Sequence, residues 1–266
     1  HEDAEEMWKY LTDNAPDTAA FAPFLCENDF HNYKAVLKGI IRGREYESLL
    51  ILPASVELPV LEKAVKEKRF DLLPDYMRKP AAEAYEVLAQ SGDSQLADCI
   101  IDAGCMSAQT LLAEKSKNTV IKDLITVSVF YKNIKAALRA AKTGRSAQFI
   151  ESTLTETGVV SKKAMVTAAL GGEEKVLELL CKAVTVGGAE AAEAYKKSPG
   201  DFEKYADNRL LSTAKRCKYI TIGIEPLIGY MLARKAQITD LQIIYSGVKT
   251  GQGSDKTLER LRELYG

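Results

Sequence analysis

Apolar residues recur at i, i+3, i+4 and i+7 from one end of the chain to the other, whereas period-2 alternation bounded by Asn-Gly or Asp-Gly turns is almost absent. This spacing predicts an all-α protein. From Asn32 the chain reads NYKAVLKGIIRGR, in which Tyr33, Val36, Leu37, Ile40 and Ile41 share one helical face and Gly43 follows as a left-handed cap. The pattern returns 101 residues later as NIKAALRAAKTGR, with Ile134, Ala137, Leu138 and Ala141 on the face and Gly144 at the stop. It returns again 107 residues beyond that as DLQIIYSGVKTGQ, where Leu241, Ile244, Tyr245 and Val248 precede Gly251. All three are expected to be helices that end alike.

The first two copies share Asn32/Asn133, Lys34/Lys135, Ala35/Ala136, Leu37/Leu138, Gly43/Gly144 and Arg44/Arg145. Other elements keep the same order. Glu83-Ala84-Tyr85 recurs as Glu193-Ala194-Tyr195, and Ala97-Asp98 as Ala206-Asp207. Apolar stretches around Ala64 and Ala168 each follow a capping glycine. The repeated unit is therefore several helices long. Such a period does not suit solenoids, whose units of about 20 to 50 residues stack linearly. Three large blocks are expected instead to sit side by side around a pseudo-threefold axis in one all-α domain. They run over about 1–115, about 116–220 and, for the start of the third, about 221–266.

Composition narrows the function. With 266 residues, 46% hydrophobic and 27% charged, the chain can bury a sizeable core. Thirty-six Lys and Arg against 37 Asp and Glu leave a net charge of −1, without the basic excess that neutralising nucleic acid requires. The apolar stretch from Tyr219 to Ala233 is broken by Glu225 and Pro226 and falls short of the ~20 residues of a membrane helix, so no direct span is expected. The opening HEDAEEMWKY carries no targeting signal, and the start reads as truncated. Five cysteines, odd in number and set mostly in apolar helical patterns, place the chain in the cytosol.

Candidate chemistry is sparse. The only histidines are His1 and His31, and Cys99 and Cys105 lack a second pair, so no metal or other cofactor is expected. Neither SGVKTGQGSDK nor KTGRS satisfies a phosphate loop, and no serine has a histidine base. Asp98 and Asp207 sit in matching helical stretches and read as caps or ion pairs; a rival reading places them with Glu225 around a divalent ion in an all-α enzyme. Lys34, Lys38, Arg42 and Arg44 have counterparts at Lys135, Arg139 and Arg145, while the third copy offers Gln242, Ser246 and Gln252. This run reads as a solvated face or as a basic wall toward an acidic partner helix.

The stretch IEPLIGYMLARKAQITDLQIIYSGVKTG, closed by LERLRELYG, resembles the C subunit of bacterial and archaeal V/A-type ATP synthases, the counterpart of the d subunit in eukaryotic vacuolar ATPases. Glu225, Pro226, Leu227, Arg260, Leu261, Arg262 and Tyr265 carry that likeness, as do Asn28, Asp29 and Asn32 in ENDFHNYKAVLKGIIRG. The local physics agrees, since Pro226 suits a first helical turn and Gly251 can close a helix some 25 residues long. The resemblance implies a funnel of three helical blocks and a non-catalytic coupling between the rotor shaft and the membrane proteolipid ring. It also implies a place peripheral to the membrane. Family members carry further helices before the first Asn motif, so the first block reads as incomplete. A helical-repeat adaptor that binds a protein or peptide in a concave face is the alternative.

Overall fold

Three glycines stop three long helices with the same pair of backbone bonds. Gly43, Gly144 and Gly251 lie in the left-handed region at φ 61°, 60° and 66°. The next N–H in each copy reaches back across the last turn: Arg44 to Gly39 O at 2.9 Å, Arg145 to Ala140 O at 3.2 Å, Gln252 to Gly247 O at 2.9 Å. These bonds satisfy carbonyls that the helix itself leaves unpaired.

The computed structural model describes residues 2–266; His1 lies outside them. Thirteen α-helices are described: α1 Glu2–Asn14, α2 Ala22–Arg42, α3 Leu58–Lys66, α4 Asp75–Ser91, α5 Ser94–Ser116, α6 Thr119–Lys142, α7 Ala147–Thr153, α8 Lys162–Leu170, α9 Glu173–Cys181, α10 Gly188–Lys197, α11 Pro199–Ala214, α12 Glu225–Lys249 and α13 Ser254–Leu258. No strand occurs among the described residues. Helix starts follow local chemistry. Asn118, Ser146, Ser161 and Ser198 accept backbone N–H bonds as N-caps. Glu225 and Pro226 open the 25-residue α12, where a missing N–H costs nothing.

The first residue of each repeat motif clamps the chain as it returns. Asn32 donates to Ile51 O at 2.9 Å and accepts from Ile51 N at 2.8 Å. Asn133 does the same with Thr155 at 2.7 and 3.1 Å. Asp240, which can only accept, takes the Arg262 N–H at 2.9 Å. One function is thus served at three matching positions.

Three apolar cores follow. One lies among α2–α5 around Tyr33, Leu61, Met77 and Ile101. A second lies among α6–α11 around Phe130, Ile134, Met165 and Leu180. The third joins α1 to α2, α6 and α12 through Trp8, Phe24, Leu124 and Ile228, so the three long helices meet in their N-terminal halves. Helix α5 is long and apolar enough to cross a membrane by composition, although the apolar stretch that stands out along the chain is Tyr219 to Ala233. Here the Ala97, Ile101, Cys105 and Ala108 side chains of α5 pack into the first core.

The third motif departs from expectation. Tyr33, Val36 and Leu37, like Ile134, Ala137 and Leu138, are buried, but Leu241, Ile244, Tyr245 and Val248 are 57, 40, 69 and 77% exposed. In the first copy α5 lies along the corresponding helix, tied by Lys34–Asp102 and Lys38–Asp98. Among the described residues no equivalent helix covers the end of α12.

Candidate functional site

A cleft of about 570 Å³ opens between α2 and α5 on one side and α6 and α7 on the other. Helical periodicity brings Lys34, Lys135, Arg139 and Arg145 to its walls. Of these, Lys34 pairs with Asp102 at 2.6 Å and Lys135 with Glu203. Lys38, just outside the lining, pairs with Asp98 at 2.6 Å. Arg42 and Arg44 are exposed at the end of α2 and do not line this cleft. Seven candidate cations therefore do not form one wall: three are held by carboxylates of this chain. Such half-exposed pairs contribute about 0–1 kcal/mol each, so their effect is mainly to neutralise charge.

Arg139 and Arg145 differ. Neither forms an ion pair among the described residues. Arg139 projects from the last turn of α6. Arg145, set by the turn at Gly144, donates to the Gln95 amide oxygen and lies 4.7 Å over the Phe149 ring.

The floor holds charges that sequence reasoning passed over. Lys132 of α6 reaches Glu27 of α2 at 2.6 Å and Gln109 of α5 at 3.2 Å. Burial pushes the Glu27 carboxyl up, but Lys132 and then Lys235 of α12 outweigh it and hold it down at about 2. Burial lowers the Lys132 ammonium while Glu27 more than restores it. Burial also pulls Lys235 down, opposed by Glu27 and assisted by Lys132. One faint signal existed: Lys132 stands where the first copy has His31, whose Nε2 lies 3.0 Å from Leu49 O.

The cleft has a twin. A second cavity, about 630 Å³, lies between α11 and α12–α13. Lys132, Lys135, Arg139, Arg145 and Thr153 of the first become Thr239, Gln242, Ser246, Gln252 and Arg260 in the second, each 107 residues on. Asp102 becomes Glu203, 101 residues on. A smaller hollow of about 240 Å³ bridges them, sharing Lys132 and Lys135 with the first and Glu203 and Arg262 with the second. The three hollows thus adjoin through common lining residues.

The remaining motif residues hold structure. Asn28 donates to Pro53 O at 2.8 Å, and buried Asp29 accepts from the N–H groups of Ser55 and Val56 at 2.6 and 3.0 Å. With Asn32 they fasten the loop after α2. Arg262 grips Asp207 at 2.6 and 2.8 Å, Arg260 reaches Gln252 at 3.2 Å and Tyr265 donates to Ala214 O at 3.2 Å. This strap binds the chain end to α11. Asp98, Asp207 and Glu225 do not converge: Lys38, Arg262 and Asn118 hold them separately. Nor are Asp98 and Asp207 equivalent in register, because the ion pair that recurs is Lys34–Asp102 with Lys135–Glu203.

A family model described as ATP synthase (C/AC39) subunit matches residues 2–260. The chain belongs to that family. This C/AC39 chain is also 21% identical over 271 residues to the C subunit of the V-type sodium ATPase of Enterococcus hirae, a match covering 99% of this chain and 81% of that relative. The family is that of the C subunits of V-type ATPases, components of a larger assembly. In this C/AC39 chain the clamps at Asn32, Asn133 and Asp240 and the grip of Arg262 on Asp207 fasten the returning loops and the C-terminal residues.

Proposed function

We propose that the chain is a non-catalytic central-stalk component of a V/A-type rotary ATPase or ATP synthase, coupling the rotor shaft to the membrane proteolipid ring. The observation that carries this reading is the family match across residues 2–260. It is supported by the two clefts and the smaller hollow that adjoins both and by helix ends and clamps at three matching positions. These agree with three blocks around a pseudo-threefold axis, with the adjoining clefts on the socket side.

A coupling must transmit torque and still release. Its contact surface therefore suits polar and ionic groups better than a broad apolar face, which forms permanent interfaces. Lys132, Lys135, Glu203 and Arg262 supply such a lining. The protein would sit on the cytoplasmic side, peripheral to the membrane through its partners. The ion carried, proton or sodium, is set by other subunits.

Affinity purification of the tagged chain from solubilised membranes of its own cell tests the proposal. Shaft and proteolipid subunits are expected in the eluate. Recovery of the chain with neither overturns it.

A further inference from the structure

Resting on that reading, we infer that the first cleft is a seat for an acidic segment of a partner protein in the same assembly, with Arg139 and Arg145 as the residues that grip its carboxylates. The twin cleft supplies an internal control. At the same two positions the second cavity carries Ser246 and Gln252, so the cleft architecture does not require guanidinium groups there. The other cations of the first cleft are already answered: Lys34 by Asp102, Lys132 by Glu27 and Lys135 by Glu203. Asp98 gives its Oδ2 to Lys38, while its Oδ1 is buried without a hydrogen bond among the described residues. Among the described residues that line this cleft, the two arginines are the cations without an ion pair to a carboxylate of this chain.

Their chemistry fits the assignment. A guanidinium offers a planar fork of donors matched to a carboxylate, and it binds two oxygens at once. Arg145 is pre-set by Phe149 beneath it and Gln95 beside it, so little side-chain freedom is lost on contact. Carboxylates interleave with the cations, since Glu27, Asp98 and Asp102 all line the same cleft. That pattern repels a compact multivalent phosphate. It accommodates a peptide that presents separate acidic side chains, one to each arginine.

The test uses the full chain and its R139S/R145Q variant, which gives the first cleft the residues the second already holds. Each is titrated with the shaft subunits and with the proteolipid ring of the same ATPase at low and at physiological salt. The variant should melt like the parent and bind one of these partners about tenfold or more weakly at low salt, with a flatter salt dependence. The reverse pair S246R/Q252R in the second cleft should not restore that loss. Equal affinity and equal salt dependence in parent and variant overturn the inference while leaving the coupling role intact. Saturable binding of inorganic phosphate that is lost in the variant also overturns it. If the unaltered chain binds neither shaft nor ring, the coupling role itself fails.

Discussion

Asn133 is fully buried and its amide closes both bonds to Thr155. Asn133→Ala would strand a donor and an acceptor, at a cost of about 2 to 4 kcal/mol in urea unfolding. Asp240→Asn should be nearly neutral, because Asn already occupies the matching positions and still accepts the Arg262 N–H. Titration gives a second residue-scale expectation. The folded Glu27 value of about 2 lies below its ordinary 4.5, so its contribution is present above 4.5 and is lost as pH falls toward 2. Glu27→Gln should therefore lower the melting temperature at neutral pH, with the gap from the parent closing on acidification. A constant gap would refute the linkage. Asp29 acts in the opposite sense: burial raises its carboxyl against the Val56 and Ser55 N–H groups, so its contribution is present at low pH and fades as pH rises through the folded value.

The repeated helix end is the unit of construction at the scale of elements. A Cβ on Gly43, Gly144 or Gly251 would meet nothing within 4 Å, so alanine there is penalised only by the left-handed backbone. Each Gly→Ala change should destabilise by about 1 to 2 kcal/mol, and Gly→Asn by less, since Asn tolerates that region. Three similar values in chemical denaturation would show the caps to be energetically equivalent. How legible these elements are depends on range. Helix stops at Gly43, Gly144 and Gly251 and the start at Pro226 are set within a few residues, by φ and by a missing N–H, and could be read directly. The cleft pairs Lys34–Asp102 and Lys135–Glu203 each span 68 residues, a register that spacing along one helix cannot reveal.

For the whole molecule, the C-terminal strap decides how α12 is held to α11. Arg262 is largely buried and bonds Asp207 through two nitrogens. Arg262→Ala should cost about 1 to 2 kcal/mol and make residues beyond 250 more sensitive to protease. Unchanged cleavage would show that Tyr265 and the Asp240 clamp suffice. The same scale explains the uncovered apolar face of α12. Its Leu241, Ile244, Tyr245 and Val248 keep the helical spacing of the first two copies. Burial depends on whether a second helix lies across that face, and spacing on one helix carries no record of it.

The sequence by itself determined the all-α class, the three matched helix ends and the family likeness, because periodicity, caps and local motifs act over a turn or two of helix. Only the tertiary structure decided which candidate cations remain without a carboxylate, that Glu27, Lys132 and Lys235 from three helices lie within reach of one another's charge, and that Asp98 and Asp207 serve different partners. Electrostatic neutralisation depends on distance in space. That distance is set by how antiparallel helices slide into register, a choice made by packing of buried faces far apart in the chain.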